Sequence, residues 1–176
     1  RLSSEKYMTK LRFILFIISG LILIIGCRKE EEYPLEPVIT FEGFVFLQDS
    51  QTGEINTGLL RIGYTDGDGD IGLDQGDTSF PYQKSGEYYY NFIIRYYEQQ
   101  QGEFVEVNPD SSTFNARIPP LIPKNQTEAI KGVIEDEVFI NNPLSDYDTI
   151  KFEVQLIDRA LNKSNVVSTP PIILDF

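Results

Sequence analysis

The chain has 176 residues, with 27 acidic side chains against 15 basic, no histidine, no tryptophan and a single cysteine. These counts exclude a Ser-His-Asp triad, a Cys-His pair, any histidine-containing zinc site and any intramolecular disulfide. A formal charge of -12 argues against a general nucleic-acid binder, which needs a basic face for phosphates.

The first element reads as an address. Lys10 and Arg12 precede the uncharged run Phe13–Gly26, which is shorter than the roughly 20 apolar residues of a membrane-spanning helix. Positive charge followed by a short apolar run is the order of a secretory signal peptide. Residues 1–26 are therefore set aside as a leader, and residues 1–7, lying before the only methionine (Met8), read as upstream translation. The run ends at Ile24-Ile25-Gly26-Cys27, which resembles the bacterial lipobox. That resemblance implies that Cys27 is diacylated and becomes the first residue of the mature protein. Contact with the membrane is then through lipid at Cys27 and little else. Arg28-Lys29-Glu30-Glu31-Glu32 resembles the export signal of Bacteroidetes-type surface lipoproteins, which implies an outer-membrane protein facing the cell exterior. Tyr33-Pro34-Leu35-Glu36-Pro37 is a stiff extended segment, so residues 27–37 are assigned to an acidic, Pro-containing tether.

Residues 38–176 read as one all-β domain. Short β-branched and aromatic runs separated by Gly, Pro, Asn and Asp clusters predict strands at 38–47, 58–65, 87–99, 103–107, 112–118, 127–140, 150–156 and 165–174. The clearest is 150–156, where Ile150, Phe152, Val154 and Leu156 alternate with Lys151, Glu153 and Gln155. Gly132 predicts a break or bulge in 127–140, and Pro119, Pro120 and Pro123 make 119–125 a connection. Such a pattern, without an internal repeat, predicts two packed antiparallel sheets of Greek-key type. Within Val154–Ser164, residues Asp158, Ala160, Asn162 and Ser164 resemble the closing strand and turn of many bacterial immunoglobulin-like domains. The resemblance implies an immunoglobulin-like β-sandwich, with Leu161 standing where the family usually has Gly.

The acidic loop Asp66–Asp77 carries the most chemistry. Counting Asp66 as position 1, Asp66, Asp68, Asp70, Asp74 and Asp77 fall at positions 1, 3, 5, 9 and 12. An EF-hand loop supplies side-chain ligands from these positions, and a backbone carbonyl from position 7, here Gly72. Five carboxylates with no Lys or Arg among them repel one another unless a cation offsets the charge. The expectation is a structural Ca²⁺ site, the alternative a solvated Asp/Gly turn. Magnesium is less suited, because it prefers few carboxylates and several waters. Ile71 at position 6, Asp77 at position 12 and a preceding strand pattern depart from the EF-hand. The loop is more similar to the Asp-rich calcium loops of thrombospondin type 3 and dockerin repeats, and Thr65–Leu73 resembles a phrase found in Bacteroidetes surface lipoproteins. Asp158 is expected to cap its own turn, with metal ligation as the second reading.

In 87–98 the even residues Tyr88, Tyr90, Phe92, Ile94 and Tyr96 form a natural core face. Tyr89, Asn91, Arg95 and Tyr97 on the odd face are candidate contacts for a glycan or protein ligand, the blander alternative being a strand covered by a loop. Glu135-Asp136-Glu137 are the candidates for carboxylate-dependent glycoside hydrolysis. Successive strand side chains point apart, however, and neither a phosphate-binding Gly-rich loop nor a Gly-x-Ser-x-Gly elbow is present. The sequence thus predicts a non-catalytic, calcium-stabilised binding or accessory module. A structural subunit of a cell-envelope complex and a small glycoside hydrolase are the alternatives.

Overall fold

A computed structural model describes residues 32–108 and 113–174. The expected leader 1–26, Cys27 and the charged run as far as Glu31 lie outside the described residues. Eight strands follow in chain order: β1 (Val38–Leu47), β2 (Thr57–Asp66), β3 (Phe92–Gln100), β4 (Glu103–Glu106), β5 (Ile130–Phe139), β6 (Thr149–Leu156), β7 (Val167–Ser168) and β8 (Ile172–Ile173). They form two antiparallel sheets. One has the order β1-β2-β5; the other has the order β4-β3-β6-β7, with β8 also paired to β6. The chain crosses between sheets after β2, β4 and β5, which is the expected all-β Greek-key sandwich. No described residue is helical.

Alternation makes this arrangement. In β6 every second residue, Ile150, Phe152, Val154 and Leu156, is buried at 0–1% exposure. The first sheet answers with Ile39, Leu60, Ile62, Ile134 and Val138, and all of these belong to one continuous core. Each such side chain stabilises the fold by roughly 1.5–3 kcal/mol on burial. Stacked and edge-on contacts among Tyr96, Phe114 and Phe152 fill the centre.

Several boundaries differ from the sequence reading, each for a local reason. β5 runs through Gly132 without a break, because Tyr64 stands opposite it and the tyrosine ring covers the glycine. The register irregularity lies instead in β1, between Phe41 and Gly43. The strand expected from residue 87 starts at Phe92, since turn hydrogen bonds from Gly86 N to Gln83 O and from Tyr89 N to Gly86 O hold the preceding residues. Of the strand expected at 112–118, the described part pairs only through the Phe92–Ala116 bridge. Pro170 and Pro171, which lack the N–H a ladder needs, divide 165–174 into β7 and β8. The second half of the expected tether is not free of the domain: Gly67 N donates to Pro34 O at 2.8 Å, and Pro37 is buried.

Candidate metal centre

Strand parity delivers two carboxylates to one place. The inward positions of β2 are Leu60 and Ile62, then the core-packed Tyr64, and the next inward step is Asp66. In β6 the inward positions end at Leu156, and the next inward step is Asp158. Asp66 is 0% exposed and Asp158 1%. Asp70 joins them because the backbone turns at Gly69, which has a φ of 74°. A Cβ there would stand 2.5 Å from Glu128 O, so conformation and space both demand glycine. Carboxylate oxygens of Asp66, Asp70 and Asp158 lie within 4.8 Å of one another.

The hydrogen bonds around this cluster leave its centre unsatisfied. Asp70 Oδ2 accepts from Ala160 N at 2.9 Å, and Asp70 O accepts from Arg159 N at 3.2 Å. Asp158 accepts from Asn162 N and from Asn162 Nδ2, at 2.7 and 2.8 Å. It therefore caps its turn and faces the cluster at once. Leu161 holds that turn with a φ of 71°, a left-handed conformation that favours glycine. In contrast, both oxygens of Asp66, Oδ1 of Asp68 and Oδ1 of Asp70 are buried without a hydrogen-bond partner. A buried polar atom left unpaired costs about 1–3 kcal/mol, and more when charged.

The electrostatics have the same sense. Burial pushes the Asp66 carboxyl up to about 7, with the charges of Asp68, Asp70 and Asp158 adding to the shift and a weak backbone contact from Asp70 N opposing it. Burial likewise raises Asp70 to about 6, aided by Asp158 and Asp68. Asp158 is also raised, chiefly by burial, against the opposing hydrogen bonds from Asn162. Asp68 thus acts on all three neighbours. The result is a pocket of hard oxygen donors that is costly to ionise alone, and a divalent cation would relieve that cost.

The other expected ligands lie elsewhere. Asp77 is engaged by Arg159 Nη1 at 2.8 Å and Lys124 Nζ at 3.0 Å. Burial raises its carboxyl, but these bonds outweigh it and bring the carboxyl down to about 2. Asp74 is exposed and lies 3.4 Å from Lys124 Nζ. The Gly72 carbonyl accepts from Arg159 Nη2 at 2.7 Å. Arg117 Nη2 donates to the carbonyls of Asp74 and Asp77. The second half of the loop is therefore a braced rim. Basic residues distant in sequence occupy the groups that twelve-residue spacing assigned to metal.

The tyrosine strip is likewise not one surface. Asn91 is buried, and its side chain bonds Ile118 N at 2.7 Å and Ile118 O at 3.1 Å. It substitutes for strand pairing and is unavailable to a ligand. Tyr89 lies before β3, with the Arg117 guanidinium 5.0 Å from its ring centroid. Only Arg95 and Tyr97 share a face. There Tyr97 donates to Glu153 Oε2 at 2.9 Å, and Lys151 Nζ covers its ring at 4.6 Å. Glu135 pairs with Arg61 at 2.9 Å, while Asp136 turns inward between Ile134 and Val138. Comparison of the chain with protein families, with curated proteins and with solved structures finds no match, and the site is read from its own geometry.

Proposed function

We propose that the chain is a lipid-anchored, non-catalytic surface module whose β-sandwich is fastened at one end by Ca²⁺. Asp66, Asp68, Asp70 and Asp158 would hold the ion. The observation that carries this reading is Asp66, a fully buried carboxylate with both oxygens unpaired, aimed into a cluster of like charges. Hard oxygen donors and several carboxylates suit Ca²⁺ better than Mg²⁺, which keeps more of its waters. Because Asp66 and Asp158 extend strands of different sheets, the ion would join the sheets and order the loop between β2 and β3. Lipid attachment at Cys27 and display on the outer membrane are proposed from the lipobox-like sequence. A binding or accessory role fits a domain that presents braced loops and a free sheet edge.

Thermal unfolding of the full chain in detergent tests the metal reading, first in EDTA and then in millimolar Ca²⁺ or Mg²⁺. An ion that binds only the folded state adds about 2.7 kcal/mol at a hundredfold excess over Kd. For a domain of this size that is a rise of roughly 5–10 °C. A rise with Ca²⁺ that Mg²⁺ does not reproduce is expected. Equal curves in EDTA and Ca²⁺ would return the cluster to a strained acidic turn.

A further inference from the structure

Among the described residues, β5 has one strand neighbour. Its ten residues pair with β2, and among the described residues no strand lies along its other side. Ile140 N donates to Asn56 O, in register with the β2–β5 ladder. Even-numbered residues of β5 therefore turn their backbone groups toward β2, and Val133, Glu135, Glu137 and Phe139 turn theirs toward the free edge. A long edge of this kind is a template for another strand.

A groove of about 730 Å³ is lined by residues of β5 together with Phe114–Ala116. Its apolar wall includes Phe139, 46% exposed, and Leu144, 78% exposed. Its acidic wall is Asp136 and Glu137. No ion pair among the described residues involves either of them, whereas Glu135 already has Arg61. Asp136 occupies an inward position that a core residue would ordinarily fill, and burial raises its carboxyl against an opposing hydrogen bond from Glu137 N. A second copy of this chain suits the edge poorly, because two Glu135–Glu137 runs would meet like against like. The groove is also clear of the metal centre, for Asp66 pairs with Ile130 at one end of the ladder and Thr57 with Phe139 at the other.

We propose that the β5 edge and its groove dock an extended protein segment that alternates basic and apolar side chains. The segment adds as a fourth strand to the β1-β2-β5 sheet. Its backbone bonds edge-facing groups of Val133–Phe139, its basic side chains lie on the inward face beside Asp136, and its apolar side chains lie on the outward face over Phe139. This site does not depend on the cation.

The test uses the full chain and three end-blocked octapeptides. One alternates Lys with Val, one alternates Glu with Val, and one is the Lys–Val peptide with alternate backbone amides methylated. The Lys–Val peptide is expected to bind in fluorescence anisotropy and to slow hydrogen exchange of the Val133–Phe139 amides. The Glu–Val and methylated peptides are expected to bind at least tenfold more weakly. Asp136→Asn with Glu137→Gln should weaken Lys–Val binding about tenfold, while Glu103→Gln with Glu106→Gln, the same charge change on β4, should leave it within twofold. Unfolding curves of both variants check that each is folded. No binding, equal binding of the methylated peptide, or an equal loss in the β4 variant would each overturn the proposal.

Discussion

Asp66 and Asp158 meet at one end of the core from opposite sheets, each the next inward step beyond the buried run of its own strand. Neither residue is placed there by the loop that follows it; the period of two along β2 and β6 places both. The cluster therefore belongs to the sandwich framework, and its ligands should be separable from the rest of the acidic loop. Asp66→Asn is expected to abolish the Ca²⁺-induced rise in unfolding temperature. Asp74→Asn is expected to retain it, because Asp74 is exposed and faces Lys124. In EDTA above about pH 7, where Asp66 is ionised, Asp66→Asn should be at least as stable as the parent, since it removes a buried charge. Loss of the Ca²⁺ effect in Asp74→Asn alone would restore the twelve-residue loop as the site.

The metal-free protein should lose stability as pH rises toward neutrality. Unfolded, these carboxyls release their protons near pH 4. Folded, Asp66 keeps its proton up to about 7 and Asp70 up to about 6. Between these limits the folded chain holds more protons than the unfolded chain. The stabilisation is thus complete below about pH 4 and is lost as pH rises through 6 to 7. Asp77, brought down to about 2, behaves oppositely, but its contribution is lost only as pH falls below 4. Unfolding temperatures in EDTA should drop by several degrees between pH 5 and 8, and saturating Ca²⁺ should flatten that slope. A flat profile in EDTA would show that the carboxylates ionise at no cost.

Arg159 makes a third test. Its guanidinium holds Asp77 Oδ2 and Gly72 O, its N–H holds Asp70 O, and its carbonyl accepts from Tyr82 Oη. Arg159→Ala removes only the side-chain bonds and should free the rim at 72–82 while leaving the turn at Asp158 intact. Bonds to charged groups contribute about 1.5–3 kcal/mol when buried; with both partners partly exposed, about 1 kcal/mol is the expected loss. Hydrogen exchange across 72–82 should quicken far more than exchange in β6. Uniform acceleration in both would mean that the arginine supports the whole fold and not the rim.

How much of this was legible beforehand depended on whether the cause was local. The Ile150–Leu156 alternation announces a half-buried strand because each residue's environment follows from its parity alone. The Asp66–Asp77 spacing announces excess charge, but not which carboxylates converge. Asp158 is far along the chain, and only the pairing of sheets brings it near Asp66. Asp77 is withdrawn by Arg159 and Lys124, which are equally distant in sequence. The available signal was the inward parity of Asp158 after Leu156. The tyrosine pattern misled for the same reason, since alternation continues on paper through residues 87–91 while turn hydrogen bonds interrupt it.

Asn91 is where a binding reading and a structural reading part most sharply. Its amide satisfies both the N–H and the carbonyl of Ile118 from a site 1% exposed, and thereby fastens 113–118 beside β3. Asn91→Ala leaves the Ile118 N–H without this partner, while the Ile118 carbonyl keeps its bond from Leu73 N at 2.9 Å. With one group stranded from water, a loss of about 1–3 kcal/mol is expected. Tyr97→Phe removes only a hydroxyl bond to a partly exposed Glu153 and should cost under about 1 kcal/mol. Chemical denaturation of both variants decides the matter. An Asn91→Ala protein as stable as the parent would show that the Ile118 contact is dispensable and would return Asn91 to the candidates for ligand contact.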